Sequence, residues 1–314
     1  MVVPTHDTRE ITLRCLASVE REARATRDVD VVLVDDGSRD GTAEAVRARH
    51  PALRVIVAAE ARGFTVSANE GLAAARGELL LLLNSDAELL DGVLAPMAAA
   101  FADDPRLGAL GAVLLNPDGS PQWSGGREPT RLWLFLLASG LPSLLGRLPG
   151  YRRLRPLDGD ARPRADWVTG AALAIRREAW AAVGPLDPEY RFYAQDLDFC
   201  LRLEDAGWKI AIVPGFRVMH LGGATIGQRA GATGKSAHPG LLWSDLLTWA
   251  RKRHGAAWSR SARRWMRLGG ALRVVARGLR APFVRREDRA GWDRDTTAFR
   301  LALGALAGEG EKEA

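Results

Sequence analysis

Cysteine is scarce in this chain, and that scarcity excludes several kinds of site. Cys15 and Cys200 are the only two among 314 residues, and they lie far apart in the sequence. Two isolated thiols supply neither a disulfide framework nor the ligand spacing of a structural zinc site. We therefore expect a protein of a reducing compartment whose chemistry does not use a thiol, with both cysteines packed in the core.

Long apolar runs and a secretory signal are also missing. Residues 1–5 lack a basic region followed by a long apolar one, and the apolar stretch 131–148 is interrupted by glycine and proline. Such a stretch is too broken to cross a bilayer. We expect a cytoplasmic protein in which residues 131–148 form either part of the core or a helical lid.

Acidic residues are outnumbered by basic ones in one segment. Residues 245–300 hold 15 basic and 5 acidic side chains, whereas residues 1–244 hold 28 and 30. The net charge of +6 therefore belongs to the C-terminal segment. This division predicts a main domain at 1–240 and a basic helical extension at 241–314.

The first part of the chain alternates strands with helices. Strands are predicted at 2–4, 29–34, 53–58, 79–83, 107–115, 166–175, 209–213 and 217–219, and helices at about 8–24, 42–49, 63–75, 92–102, 178–183 and 193–206. Successive βα units favour an α/β fold with a mostly parallel sheet, a layout that binds nucleotides.

Polar residues follow the most apolar strand. Five leucines at 79–83 lead directly into Asn84, Ser85, Asp86 and Glu88. A strand buried on both faces delivers such groups to the sheet edge where α/β proteins bind ligands, and a carboxylate there can hold a metal ion against a phosphate. A simple Asn-Ser-Asp turn or helix cap is the alternative.

Seven short motifs occur in the order seen in family 2 glycosyltransferases, which have the GT-A fold. They are residues 2–7 (VVPTHD), 34–42 (VDDGSRDGT), 62–64 (RGF) with Asn69, 83–86 (LNSD), 170–171 (GA), 193–198 (YAQDLD) and 218–220 (VMH). The match spans about residues 1–250 and most resembles bacterial rhamnosyltransferases of cell-surface polysaccharide synthesis. The resemblance implies an inverting enzyme that moves a sugar from a nucleotide-sugar donor to a glycan hydroxyl, with a lipid-linked glycan as the expected acceptor.

The resemblance also implies a donor pocket. It assigns the nucleotide to Thr5, Asp35, Asp36 and Arg62. Carboxylates suit this role because they accept hydrogen bonds from base N–H groups and ribose hydroxyls.

A divalent metal is implied beside that pocket. Asp86 matches the last carboxylate of a D-x-D-type motif, and His220 resembles the histidine that completes the metal site in several family members. Asn84 stands where the motif has its first carboxylate, so we expect it to contact ribose or orient Asp86. Mn²⁺ or Mg²⁺ is the expected ion, and the imidazole favours Mn²⁺. Without the motif order, His220 reads as an ordinary polar residue at a strand end.

Asp196 is the predicted catalytic base. Inverting transfer needs a group that takes the proton of the acceptor hydroxyl, and a partly desolvated carboxylate can do this. The family's acidic pair is Glu-Asp, and here Gln195 replaces the first member. On the alternative reading Asp196 and Asp198 merely favour a helix start, and Asp198 is expected to be structural.

The basic segment repeats apolar residues at helical spacing. The repeat comprises Trp258, Ala262, Trp265, Leu268, Leu272, Val275 and Leu279, with arginines between them and Gly269–Gly270 as a predicted kink. This suits a helix lying on an anionic membrane, with Trp258 and Trp265 inserted, so that the protein is peripheral on the inner face of the cytoplasmic membrane. A helix packed on its own domain with a solvated basic face is the alternative.

Two other functions remain open at this point. A nucleotidyltransferase also uses a carboxylate-bound metal, but the chain lacks a Gly-rich basic loop near the first strand and has no use for Asp196. A non-enzymatic membrane- or RNA-binding module could use the Trp and Arg residues. It would not require the polar cluster at the strand ends, and we expect no nucleic-acid partner.

Overall fold

The computed structural model describes residues 1–26, 29–141, 165–222 and 238–308. These residues form two compact units. Unit 1 comprises residues 1–26, 29–128, 165–191 and 195–222, and unit 2 comprises residues 129–141, 192–194 and 238–308. Residues 152–164, whose prolines and arginines predict a loop, lie outside the described residues.

The elements follow one another as the alternating pattern predicts. The first are β1 Val2–Thr5, α1 Arg9–Thr26, β2 Val32–Asp35, α2 Thr42–Arg49, β3 Arg54–Val57, α3 Phe64–Ala74, β4 Leu79–Leu83, β5 Ala87–Leu89, α4 Leu94–Asp103, β6 Leu107–Leu115 and β7 Gly125–Gly126. The remainder are α5 Arg131–Ser139, β8 Trp167–Val168, β9 Ala172–Arg176, α6 Arg177–Val183, α7 Gln195–Asp205, β10 Lys209–His220, α8 Pro239–His254, α9 Ala256–Arg280 and α10 Arg289–Gly308.

Eight strands of unit 1 form one mixed sheet in the order β3-β2-β1-β4-β9-β6-β10-β5. Six of them run in the same direction, and β9 and β5 run opposite to their neighbours. The mostly parallel sheet is thus confirmed. Leu82 and Leu83 of β4 are fully buried, as expected for a strand covered on both faces.

Three strand predictions were wrong in detail. The strand expected at 166–175 is two strands, β8 and β9, because residues 169–171 leave the ladder. The segments expected at 209–213 and 217–219 are the single strand β10, with a register shift between Val213 and Arg217. The three-residue strand β5 was not predicted.

Both cysteines are buried, as the sequence predicts, in unit 1. Burial raises the pKa of the Cys15 and Cys200 thiols well above the ordinary range, so both stay protonated.

Unit 2 is built from helices. Trp243 and Trp249 of α8 are almost completely buried, and a Cβ added to Gly269 of α9 would lie 2.5 Å from the carbonyl oxygen of Phe135. Gly269 therefore lets α5 approach α9, whereas a Cβ added to Gly270 would lie 2.9 Å from the Trp243 ring of α8. The two glycines predicted as a kink lie within one helix from Ala256 to Arg280. Of the stretch 131–148, residues 131–139 form this packed helix, and residues 142–148 lie outside the described part. No helix in the described ranges is both long enough and apolar enough to span a membrane.

Candidate active site

Three parallel strands end side by side at one edge of the sheet. Thr5 at the end of β1 pairs in register with Asp35 at the end of β2, and the Asp36 N–H donates to the Thr5 carbonyl at 2.9 Å. Next to β1 lies β4, whose end leads into Asn84 and Asp86. The side chains that the motifs single out are thus gathered where open α/β sheets bind ligands.

Asp36 stabilises the loop that precedes α3. Its carboxylate accepts hydrogen bonds from the backbone N–H of Arg62 and of Gly63, both at 2.8 Å, and from the Ser67 hydroxyl at 2.9 Å. A carboxylate offers about four acceptor positions, so one is left for a ligand. Asp35 is also buried, and its Oδ1 accepts the backbone N–H of Ser38 at 2.9 Å.

Thr5 belongs to a cluster of hydroxyl groups. Its Oγ1 lies 2.9 Å from that of Thr8 and 2.7 Å from that of Thr12, and Thr8 Oγ1 lies 3.3 Å from Ser85 Oγ. All four side chains are buried. The cluster connects the end of β1 to the residue preceding Asp86, a link that single motifs do not reveal.

Arg62 stands at the rim of this region. Its guanidinium pairs with Glu70, and its side chain is about one third exposed. Together with Thr65, Tyr190 and Arg191 it lines a cavity of about 140 Å³ within unit 1. The other lining residues are Gly63, Val66 and Pro188.

His220 faces Asp86, and β5 is the reason. The end of β10 pairs antiparallel with β5, which places His220 opposite Ala87, and Leu221 donates its N–H to the Asp86 carbonyl at 2.9 Å. His220 Nε2 consequently lies 3.2 Å from Asp86 Oδ1. The two residues are 134 positions apart in the chain, yet the sheet brings them together.

Gln122 binds the ring of His220 at Nδ1. Its amide nitrogen donates to Asn116 Oδ1 at 2.8 Å and to the His220 carbonyl, so its Oε1 accepts a hydrogen bond from His220 Nδ1 at 2.9 Å. With a proton on Nδ1, Nε2 is the ring nitrogen that could bind a cation beside Asp86. Sequence reasoning missed Gln122, since nothing local distinguishes it from other polar loop residues.

The arrangement fits a divalent cation. His220 Nε2 and Asn84 Oδ1 are buried and have no hydrogen-bond partner. Two ligands at neighbouring octahedral positions, each about 2.1 Å from the ion, are about 3 Å apart, close to the observed 3.2 Å. The described residues contain no group of three or more His, Cys, Asp or Glu suited to a metal. The protein thus offers a carboxylate and an imidazole, and phosphate oxygens and water would complete the shell.

Asp196 lies in the first turn of α7 and is hydrogen-bonded to the same edge of the sheet. Its Oδ2 accepts the N–H of Gly170 at 2.7 Å, and its Oδ1 accepts that of Leu197 at 2.9 Å. Ala171 follows Gly170 in the chain, and its carbonyl oxygen accepts a hydrogen bond from the Asn84 N–H at 2.9 Å. Burial raises the pKa of Asp196 above its ordinary value, and the backbone hydrogen bonds only partly offset this effect.

The neighbours of Asp196 have different surroundings. Asp198 accepts hydrogen bonds from the Tyr190 hydroxyl at 3.1 Å and from Arg202 Nε at 2.8 Å, so its contacts are structural, as expected. Gln195 is buried, and its Oε1 has no hydrogen-bond partner. A glutamate at that position would place an unpaired charge in the interior.

Comparison with known proteins places the chain in a family. Residues 1–182 match the family described as Glycosyl transferase family 2. The chain is 30% identical over 284 residues to the N-acetylglucosaminyl-diphospho-decaprenol L-rhamnosyltransferase of Mycobacterium tuberculosis, covering 84% of this chain and 87% of that protein. It is also 36% identical over 55 residues to Rhamnosyltransferase WbbL of Escherichia coli, covering 18% and 21% of the two chains.

Solved structures share the fold. A mannosyltransferase from Pyrobaculum calidifontis in complex with GDP-Man and Mn²⁺ is 17% identical with a TM-score of 0.54, covering 98% of this chain and 85% of that one. GalNAc-T7 with UDP, GalNAc and Mn²⁺ is 16% identical with a TM-score of 0.55, covering 98% and 56%. Neither a nucleotidyltransferase nor a non-enzymatic binding module is supported by these relatives. The chain therefore belongs to glycosyl transferase family 2, is similar to bacterial rhamnosyltransferases and has the GT-A fold.

Proposed function

We propose that the protein is an inverting, divalent-metal-dependent glycosyltransferase that moves a sugar from a nucleoside diphosphate donor to a hydroxyl of a lipid-linked glycan. L-rhamnose is the first candidate sugar, because the Mycobacterium tuberculosis relative, which matches over 87% of its own length, is a rhamnosyltransferase. The acceptor class follows from the same relative, whose name specifies N-acetylglucosaminyl-diphospho-decaprenol. The observation that carries the proposal is that His220 Nε2 lies 3.2 Å from Asp86 Oδ1 while Gln122 binds the other ring nitrogen, at the edge where Asp196 also lies.

The donor side depends on the pair Asp86 and His220. These residues would hold Mn²⁺ or Mg²⁺, and the bound ion would neutralise the diphosphate as it leaves. Asn84 has an unpaired buried oxygen suited to a ribose hydroxyl. Thr5, Asp35, Asp36 and Arg62 would complete the nucleotide pocket, with Asp36 acting mainly by fixing the backbone of Arg62 and Gly63.

The acceptor side depends on Asp196. The attacking hydroxyl loses its proton to a carboxylate oxygen while its own oxygen bonds to the anomeric carbon, opposite the departing diphosphate, which inverts the configuration. A raised pKa makes Asp196 a better proton acceptor than an ordinary surface aspartate. The backbone N–H groups of Gly170 and Leu197 donate to its two oxygens and fix the orientation of the carboxylate.

The place of action follows from the acceptor. A lipid-linked glycan is held in a bilayer, so we propose that the enzyme works at the inner face of the cytoplasmic membrane as a peripheral protein.

The test is a donor panel. The protein is incubated with Mn²⁺ or Mg²⁺, nucleoside diphosphate sugars that include a rhamnose donor, and a short-chain lipid diphosphate carrying N-acetylglucosamine. We expect one donor to yield a disaccharide product of inverted anomeric configuration, and no product in EDTA. A product of retained configuration, or equal turnover in EDTA, would contradict the proposal.

A further inference from the structure

Helix α9 exposes a continuous apolar face. Six apolar residues of α9 and of the 3₁₀ turn Ala281–Phe283 that follows it are between 41% and 87% exposed. They recur every three or four positions, which places them on one side of a helix. They are Trp265, Leu268, Leu272, Val275, Leu279 and Phe283, and we call them the apolar stripe.

The packed face of α9 is a different one. Ala262, Met266 and Gly269 are buried within unit 2. Trp258, which the sequence assigned to membrane insertion, stacks on His254 with 4.3 Å between ring centroids and lies beneath the Arg131 guanidinium at 4.8 Å. The expectation that Trp258 and Trp265 act together is therefore corrected, because only Trp265 belongs to the exposed face.

Arginines flank the apolar stripe. Arg260, Arg264 and Arg267 are exposed and lie along one side of it by helical spacing, with Arg264 at its edge. Two other arginines pack against aromatic rings within unit 2. The Arg273 guanidinium lies 3.7 Å from the Phe299 ring centroid, and the Arg277 guanidinium lies 3.9 Å from that of Trp292. No acidic residue occurs between positions 256 and 286.

We propose that the apolar stripe docks the protein on an anionic lipid bilayer, with its side chains among the acyl chains and the flanking arginines at the phosphates. This deepens the proposed function, on which it rests for the lipid-linked acceptor. A second copy is a poorer occupant, because pairing two stripes would bring arginines against arginines with no acidic residue to balance them. An anionic bilayer accommodates both the apolar stripe and the arginines beside it.

Vesicle co-sedimentation of the full chain tests the docking surface. We expect wild type to pellet with phosphatidylglycerol-containing vesicles, to bind pure phosphatidylcholine weakly, and to lose binding as salt rises. The triple variant L268S/L272S/L279S should bind at least about 10-fold more weakly, because three inserted apolar side chains are lost. R260Q/R264Q/R267Q should lose the preference for anionic lipid. All six side chains are solvent-exposed, so the variants should fold.

A matched pair of single variants is the control. Leu279 is 71% exposed on the stripe and Leu301 is 70% exposed on α10, so Leu279→Ser should weaken binding and Leu301→Ser should not. Equal binding by wild type and the triple variant would overturn the proposal, as would a wild-type dimer in sedimentation velocity that the triple variant abolishes. Metal-dependent donor binding is measured on the same samples. If it persists while vesicle binding fails, only the docking proposal is rejected.

Discussion

At the scale of single residues, two opposing influences act on the carboxyl group of Asp196. Burial disfavours its charged form and raises its pKa, whereas the N–H groups of Gly170 and Leu197 favour the charged form. The net pKa is raised, so the native state binds this proton more tightly than the unfolded chain. The group therefore contributes to stability below the unfolded pKa, and that contribution is lost as pH rises through the folded pKa.

Replacement of Asp196 by Asn should separate catalysis from donor binding. The amide is nearly isosteric but cannot accept the proton, so kcat should fall by about 10² or more while donor affinity stays near wild type. In the wild type kcat/KM should fall as pH falls through the raised pKa, above the value of about 3.9 for an ordinary aspartate. Steady-state kinetics across pH provide the measurement. Unchanged turnover of the variant with both substrates saturating rules out Asp196 as the base.

Gln122 offers a second test at this scale. Gln122→Ala removes the acceptor that keeps the proton on His220 Nδ1, so Mn²⁺ affinity should fall by about 10- to 100-fold. Gln122→Glu keeps an acceptor at that position and should restore most of the affinity. Mn²⁺ titration followed by electron paramagnetic resonance, without any sugar donor, checks both variants. Equal affinity in Gln122→Ala and wild type would show that the tautomer is set in another way.

At the scale of elements, the loop after β2 depends on one glycine. Gly37 has a φ of +71°, and an added Cβ would lie 2.7 Å from the Glu60 carbonyl carbon. Gly37→Ala should therefore destabilise the fold by about 2 kcal/mol or more, through both the left-handed backbone and the steric overlap. Gly92 has a φ of +73° with nothing within 4 Å of an added Cβ, so Gly92→Ala should cost only about 1 kcal/mol. Urea unfolding measures the difference, and equal losses would contradict the close-approach argument.

Elements with a strong local pattern were predictable, and elements made by distant pairing were not. Residues 79–83 and 107–115 form strands with the predicted bounds because continuous apolar runs suit buried strands. β5 has only three residues, and it exists because β10 pairs with it from more than 120 positions away. The same pairing brings His220 to Asp86. The motifs could name both residues, but only the sheet shows why they meet.

At the scale of the whole molecule, the family resemblance predicted the fold and the class of enzyme. The sequence alone did not predict which helix faces are buried and which are exposed. The C-terminal helices show why. Apolar residues of α9 occupy two faces, and periodicity cannot distinguish the face that holds Met266 from the one that holds Trp265. The first is buried in unit 2, and the second is exposed. Burial and ring contacts thus remove Ala262 and Trp258 from the predicted apolar repeat, and the exposure of Phe283 adds that residue to it.

The central claim is that Asp86 and His220 bind the donor diphosphate through a divalent ion, and calorimetry tests it most directly. The nucleoside diphosphate of the preferred donor is titrated into wild type, Asp86→Ala and His220→Ala, with Mn²⁺ and with excess EDTA. We expect strong binding by wild type in Mn²⁺, loss of metal-dependent binding in Asp86→Ala, and weakened binding or a changed metal preference in His220→Ala. Full wild-type affinity in excess EDTA would contradict the account.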